Sequence, residues 1–380
     1  MGISLSSFSE KIVQYFWNHL KQFDWLLLGA IFLLNSIGLV SLFSLSERSP
    51  LPFFHNQITW LAIGLFLFFL ASLIDYRFFR NQSFVLLGFY ILTVILLSAL
   101  FFFGEGTGGV ARWFYFGGIA FQPVEPAKPV LVLILAKYFS LRHAEIYRLR
   151  HLIISGIYIL IPAILVLFQP NLGSAAILLF LWTAIAIFSG IKMRHFIFFV
   201  LLLSVVSLLA WNLALAPYQK SRITSFINPY SDPLGTGYNA IQAKIAVGSG
   251  KIFGKGVGYG SQSSLNFLPA AETDFIFSAF TEEWGLVGAL MLFGGFAVLF
   301  WRIIKIGLKV SDNFSRLFTL GFASIILSQF IIHVGMNIGL MPITGITLPF
   351  VSYGGSSLVS LMIGIGILQN IKINSRREIE

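Results

Sequence analysis

Asp24-Trp25-Leu26-Leu27-Leu28-Gly29-Ala30-Ile31-Phe32-Leu33-Leu34 opens a run that continues to Ser46 with Asp24 as its only charged residue. A hydrocarbon core about 30 Å thick takes roughly 20 helical residues to cross, so a run of this length reads as a membrane-spanning helix. Nine further runs of the same kind follow, at 56–74, 83–103, 124–140, 152–168, 174–190, 195–213, 274–303, 316–340 and 350–371. Composition agrees: of 380 residues, 57% are hydrophobic and 11% charged, against about 25% charged in soluble domains. A water-soluble protein is excluded. The expected fold is an all-α integral membrane protein, a single polytopic domain over 1–380 with about ten transmembrane helices.

Residues 1–22 differ from these runs. Phe8, Ile12, Phe16 and Leu20 recur every fourth position, with Glu10, Lys11, Gln14 and Asn18 on other faces. That amphipathic pattern predicts a helix lying in the membrane interface rather than a cleaved signal peptide. Basic residues set the orientation. The loops that share a side with both termini hold 17 of them, including Arg77, Arg80, Arg142, Arg148 and Arg150, whereas the opposite short loops hold Arg48 and Arg112. Both termini are therefore expected in the cytoplasm, with one large loop, 214–273, outside between spans seven and eight. The formal charge of +10 belongs to membrane loops and does not point to nucleic acid. There is no cysteine, and the six histidines have no metal-ligand spacing, which argues against a zinc enzyme. No internal repeat is visible, which weakens a transporter built on inverted repeats.

Ionisable groups at membrane depth are costly and hence functional candidates. Glu125 and Lys128, opening span four among Pro123, Pro126 and Pro129, are three apart and can pair on one helical face. They read either as a structural ion pair or as the polar floor of an outward cavity. The long loop carries Lys220, Arg222, Lys244, Lys251 and Lys255 against Asp232 alone, with eight glycines between Gly235 and Gly260. Glycine-rich backbone beside lysines can wrap a phosphate; the alternative is a flexible re-entrant loop resting on anionic lipid. Glu272, Asp274, Glu282 and Glu283 place four acids within twelve residues. Asp274 stands where loop becomes helix and could cap it. In a partly desolvated pocket it would instead serve as a base. Glu282 and Glu283 read as anchors of the bundle, and His333 with Asn337 as interhelical hydrogen-bonders.

Gly109-Val110-Ala111-Arg112-Trp113, Gln122 to Lys128, Gln169-Pro170-Asn171-Leu172-Gly173-Ser174-Ala175, Pro217-Tyr218-Gln219 through Gly256, Thr273-Asp274-Phe275-Ile276-Phe277 with Glu282-Glu283-Trp284-Gly285, and Leu348-Pro349-Phe350-Val351-Ser352-Tyr353-Gly354-Gly355 together resemble the SEDS family (shape, elongation, division and sporulation). The Pro217-Tyr218-Gln219 loop and the short termini place the chain on the rod-shape side of that family. The resemblance implies a peptidoglycan glycosyltransferase of the bacterial cytoplasmic membrane, serving cell elongation and shape. Such an enzyme polymerises lipid II at the outer face, beside a class B penicillin-binding protein as transpeptidase. By resemblance Asp274 is the essential aspartate and Glu125–Lys128 the salt bridge of span four. Arg112, Lys128, Glu272, Lys244, Lys251 and Lys255 are candidates around the substrate and its pyrophosphate. Glu282, Glu283, Asn171 and Ser352 are structural polar residues. A divalent metal (Mg or Mn) is expected and no organic cofactor. Pro269-Ala270-Ala271-Glu272-Thr273-Asp274 lacks the Glu and His usual in the family's Pro-Glu-x-His-Thr-Asp, residue 171 is Asn where Asp is usual, and residue 129 is Pro where an aliphatic residue is usual. A lipid II flippase or transporter, and a non-catalytic scaffold for the transpeptidase, are the competing readings.

Overall fold

The structure, a computed structural model, describes residues 14, 17–46, 52–104, 112–116, 119–142, 149–213 and 217–377. Most of the expected interfacial helix over 1–22, together with Arg48, Gly109, Val110 and Ala111, lies outside the described residues. The helices are α1 (Trp25–Ser46), α2 (Phe53–Leu73), α3 (Tyr76–Asn81), α4 (Ser83–Phe103), α5 (Val124–Leu141), α6 (Leu149–Phe168), α7 (Leu172–Phe188), α8 (Met193–Leu213), α9 (Pro217–Ile227), α10 (Tyr238–Ser249), α11 (Ser261–Ser264), α12 (Ile276–Lys309), α13 (Asn313–Ile338) and α14 (Gly355–Arg377). A two-stranded antiparallel hairpin, β1 (Phe114–Phe116) and β2 (Ile119–Phe121), precedes α5.

A helix meets each of the ten apolar runs. By length and apolarity, seven qualify as spans: α1, α2, α4, α6, α12, α13 and α14. α7 is apolar but has only 17 residues, and α5 carries Glu125, Lys128 and Lys137 within 18. Along their most apolar stretches α13 is 72% buried and α14 78%, against 28% for both α2 and α4, so the first pair forms the centre of the bundle and the second its rim. α14 packs along α2, α12 between α1 and α13, and α13 against α5 and α7. Phe32, Phe84 and Phe102 are among the most exposed apolar side chains. On a bundle of this composition such residues are the lipid-facing surface. At the first turn of α1, Asp24 accepts hydrogen bonds from Arg302 Nε on α12, at 3.0 and 3.1 Å to its two oxygens, and its N–H donates to Gln369 on α14 at 2.9 Å. The buried aspartate thereby ties together three helices that are far apart in sequence.

Two expectations change. Residues 214–273 are not one loop: they contain α9, a 3₁₀ turn at Pro229–Ser231, α10 and α11. Nor is the run from Asp274 a continuous helix. α12 is interrupted at Gly285 (φ 65°, ψ −159°), a left-handed φ that favours glycine. The backbone groups released there are met by residues 251–256. Leu286 and Val287 N–H donate to the carbonyls of Lys251 (2.9 Å) and Ile252 (3.1 Å), and the carbonyls of Glu282 and Glu283 accept from Lys255 (3.0 Å) and Gly256 (2.9 Å). Non-helical backbone at membrane depth is tolerated only where protein or trapped water satisfies it, and here a re-entrant stretch of the same chain does so. The part after the break, 286–309, is still about 36 Å long at 1.5 Å per residue.

Close approach is a condition of this junction. A Cβ on Gly254 (φ +79°) would stand 2.0 Å from the Glu283 carbonyl oxygen, whereas a Cβ on Gly248 would meet nothing within 4 Å. Gly254→Ala should therefore lower the thermal unfolding midpoint in detergent by the equivalent of about 1–3 kcal/mol. Gly248→Ala, inside α10, should leave the midpoint unchanged or raise it. Equal midpoints for the two variants would refute the junction.

Candidate active site

The re-entrant stretch is held by carboxylates. Glu282, fully buried, accepts from Gln262 N–H (2.9 Å), Ser263 N–H (3.1 Å), Ser263 Oγ (3.1 Å) and Lys255 Nζ (2.8 Å). Glu283 accepts from Gly258 N–H (3.0 Å) and from Ser44 Oγ on α1. Both acids therefore anchor the bundle, as their positions suggested. Lys255, a candidate for pyrophosphate, has its ammonium on Glu282. The N–H groups of Gly254, Gly256 and Gly258 are bonded within the protein. The phosphate-wrapping reading and the flexible-loop reading of this glycine-rich segment both give way to a structural one.

Above the junction, α12 starts at Ile276 with Phe275 as its N-cap residue and no capping side chain. Asp274 is thus not the cap. Its backbone is fixed from three sides. Asn337 Nδ2 donates to the Asp274 carbonyl (3.0 Å) while its Oδ1 accepts from Ser278 N–H (3.2 Å) and Oγ (2.6 Å). Ser352 Oγ donates to the Thr273 carbonyl (2.8 Å) and accepts from Leu348 N–H (2.8 Å). Tyr353 N–H donates to the Glu272 carbonyl (2.9 Å). His333, one turn before Asn337, donates from Nδ1 to the Ile346 carbonyl (2.7 Å). Asn337 on α13 therefore makes the expected interhelical contact, to Ser278 on α12, whereas His333 bonds to the loop that follows α13; Ser352 is structural.

So held, the half-buried Asp274, its carboxyl desolvated by the groups packed around it, lines a cavity of about 480 Å³ together with Asn56, Trp60, Arg112, Trp113, Gln122 and Ser356. Tyr115, Thr347 and Tyr353 also line it. The β hairpin closes one side, its end fixed where Ser356 Oγ accepts from Gln122 N–H (3.0 Å). Arg112 reaches the cavity while its Nε donates to the Gln169 carbonyl (3.2 Å) and its Nη2 to the Pro170 carbonyl. Gly355 makes room for the indole of Trp60, whose Cε2 would be 2.1 Å from a Cβ there. Burial pushes the Asp274 carboxyl above the ordinary carboxylate range and Glu272 adds to the rise; the Thr273 hydroxyl and the positive charges of Arg222 and Arg112 oppose it.

Of the sequence candidates, the cavity brings together Asp274 and Arg112. Glu125 and Lys128 form the expected ion pair at 2.6 Å, almost wholly buried, but neither lines the cavity. Lys251 and Lys255 are also off its wall, and Lys244 lines a separate, smaller cavity with Arg222 and Ser225. Asn171 accepts from Ser174 N–H (3.1 Å) and caps α7. Sequence reasoning gave Arg222, whose charge reaches Asp274, only as one of the basic residues of the long loop, and Trp113 and Tyr353 only as members of motif stretches; it passed over Trp60 and Tyr115. Nothing local marks those two out from others of their type in a chain that is 16% aromatic. Among the described residues no three His, Asp or Glu side chains converge. Among the described residues Asp274 is the one acid lining the cavity, and Glu272 is off its wall, so the protein donors alone do not form a resident site for the expected divalent cation.

Residues 19–377 match the FTSW_RODA_SPOVE family, described as cell cycle proteins. The chain is 34% identical over 365 residues to stage V sporulation protein E of Bacillus subtilis (strain 168), covering 93% of this chain and 98% of that protein. It is 35% identical over 358 residues to peptidoglycan glycosyltransferase MrdB of Escherichia coli (strain K12), covering 94% and 95%. Its fold matches a solved chain from a peptidoglycan synthase complex that coordinates polymerization and crosslinking, with a TM-score of 0.77, 31% identity, and coverage of 93% and 98%.

The ties on residues 272–274 give a direct test of positioning. Ser352→Ala removes the donor to Thr273 and the acceptor for Leu348 N–H, a change expected to cost about 1–3 kcal/mol of stability. Turnover should fall more than substrate affinity, because the displaced group is Asp274. Loss of affinity with turnover unchanged would mean that Ser352 does not position the carboxylate.

Proposed function

This chain belongs to the FtsW, RodA and SpoVE family of cell cycle proteins, the SEDS family, and from that premise we propose that it is a peptidoglycan glycosyltransferase that polymerises lipid II into β-1,4 glycan strands for cell elongation and shape. The observation that carries the reading is the Asp274 carboxyl, raised by burial and aimed into a cavity walled by aromatic, amide and hydroxyl groups with the Arg112 cation on the same wall. A raised carboxyl is a stronger base than an ordinary one.

Asp274 takes the proton from the 4-hydroxyl of the acceptor GlcNAc. The oxygen attacks the anomeric carbon of the growing glycan, the new C–O bond forms, and the bond from that carbon to undecaprenyl pyrophosphate breaks. A single displacement inverts the α-linked donor to a β linkage and needs one base and a stabilised leaving group, with no covalent nucleophile. Arg112, oriented by the Gln169 and Pro170 carbonyls, supplies positive charge for the departing pyrophosphate. Trp60, Trp113, Tyr115 and Tyr353 offer faces for sugar rings. We place the protein in the bacterial cytoplasmic membrane, with both termini in the cytoplasm and the cavity facing outward; the distribution of basic loops supports this. A class B penicillin-binding protein is the proposed transpeptidase partner, supported by the likeness to a synthase complex chain.

Glycan formation from lipid II by the purified protein with its cognate partner is the decisive measurement. Wild type should polymerise and Asp274→Asn should not, while the variant still binds the partner. Normal polymer from Asp274→Asn would remove Asp274 as the base. Absence of polymer from both, with the partner bound, would leave the scaffold or the lipid II flippase.

The raised carboxyl has two consequences. A base works only when ionised, so activity should fall as pH drops through a value above the ordinary aspartate pKa of about 3.9. A group whose folded-state pKa is raised contributes stability at low pH and loses it as pH rises through that pKa. Asp274→Asn, neutral at every pH, should accordingly unfold at a temperature equal to or above that of wild type at neutral pH. A lower midpoint would argue against the burial described here.

A further inference from the structure

α5 carries a second buried cation at its other end. Lys137 is 8% exposed, and its Nζ has no hydrogen-bond or ion-pair partner among the described residues. It lies four residues before Leu141, about 6 Å along the axis from the end of the helix. Gln122 and the Asp274 cavity are at the start of α5, so Lys137 belongs to the opposite face of the bundle. The side chain lines a separate cavity of about 180 Å³ formed with Ser83, Leu86, Leu87, Tyr90 and Tyr158. An ammonium in such surroundings, without a counter-charge, is strongly disfavoured.

Three further features point to what offsets that cost. Ser83 is the first residue of α4, a 21-residue helix whose N-cap residue Gln82 makes no side-chain cap. The free N–H groups and dipole of that helix end favour an anion. Arg142 and Arg150 stand near enough to Tyr138, on the cavity wall, for their charges to act on it. Leu86, Leu87 and Leu141 supply apolar wall beside the charge, and Leu87 and Leu141 are themselves exposed on the rim. An anion with an attached hydrocarbon chain satisfies both halves of this cavity, whereas a free inorganic ion satisfies only one. We propose that this cavity binds the phosphate of an anionic membrane lipid: Lys137 meets the phosphate, the uncapped start of α4 donates to it, and the leucines contact its chain. The proposal does not depend on the glycosyltransferase reading.

The test uses the full-length protein, delipidated in maltoside detergent. Thermal unfolding and native mass spectrometry are followed on adding dioleoylphosphatidylglycerol, dioleoylphosphatidylcholine or inorganic phosphate, for wild type, Lys137→Arg, Lys137→Met and Lys137→Gln. Phosphatidylglycerol should raise the midpoint of wild type and Lys137→Arg and stay bound to both. Its apparent affinity should weaken on the order of tenfold in Lys137→Met and Lys137→Gln, the size of one charge-assisted contact. Phosphatidylcholine should do little for any of them. Undiminished phosphatidylglycerol binding by both neutral variants would overturn the site. Inorganic phosphate matching phosphatidylglycerol would overturn the lipid and leave a bare phosphate site. Both neutral variants remove a buried charge and are expected to fold; retained partner binding checks this.

Discussion

The interruption of α12 at Gly285 is the constraint from which the rest of the active face follows. A helix broken within a membrane protein exposes donors and acceptors that lipid cannot satisfy, so the break is stable only if other backbone reaches it. Residues 251–256 do this with four hydrogen bonds to the two sides of the break, and glycine at 254 and 285 is what lets the two strands of backbone approach. The segment from α9 to α11 is thereby drawn onto the bundle. Glu282 extends the junction from its own side: it gathers Lys255, Gln262 and Ser263 around one buried carboxylate. A buried charge with this many donors is compensated where it stands, which suits an anchor and removes it from the chemistry.

Asp274 is the contrasting case. It lies only eight residues before Glu282, yet its carboxyl faces a cavity and its ionisation is opposed by burial. The protein fixes the backbone of residues 272–274 through Asn337, Ser352 and Tyr353 and leaves the side chain facing open space. The base role proposed for Asp274 calls for this combination of a fixed backbone and a carboxyl turned to the cavity. The departures from the family pattern at Ala270 and Glu272 fall inside the same loop. The backbone ties there do not use those side chains: Ala270 contributes its carbonyl to the N–H groups of Thr273, Asp274 and Phe275, and Glu272 its carbonyl to Tyr353.

How far the site could be read from the chain depended on the range of each contact. Glu125 and Lys128 are three residues apart on one helix, so their pairing was legible; whether they faced a cavity or the core was not, because that depends on how α13 and α14 cover α5. The lysines at 244, 251 and 255 were legible as a basic, glycine-rich segment. Lys255 nevertheless turns to Glu282, 27 residues away, and the N–H groups of Gly256 and Gly258 turn to Glu283 on the broken helix. Arg222 was legible only as one basic residue of that segment and Trp60 carried no local mark; both reach the neighbourhood of Asp274 only through packing.

The sequence by itself determined the membrane class, the ten apolar runs and the family, since hydrophobic length, short-range spacing and motif identity are properties of contiguous residues. Tertiary structure alone decided that α12 breaks, which donors Glu282 and Glu283 gather, that Arg112 shares the wall with Asp274 while Glu125 and Lys128 do not, and that Lys137 is left without a partner among the described residues. Each of these turns on groups from separate helices, where the geometry of close packing and the need to satisfy every buried polar group select one partner among several that the chain offers.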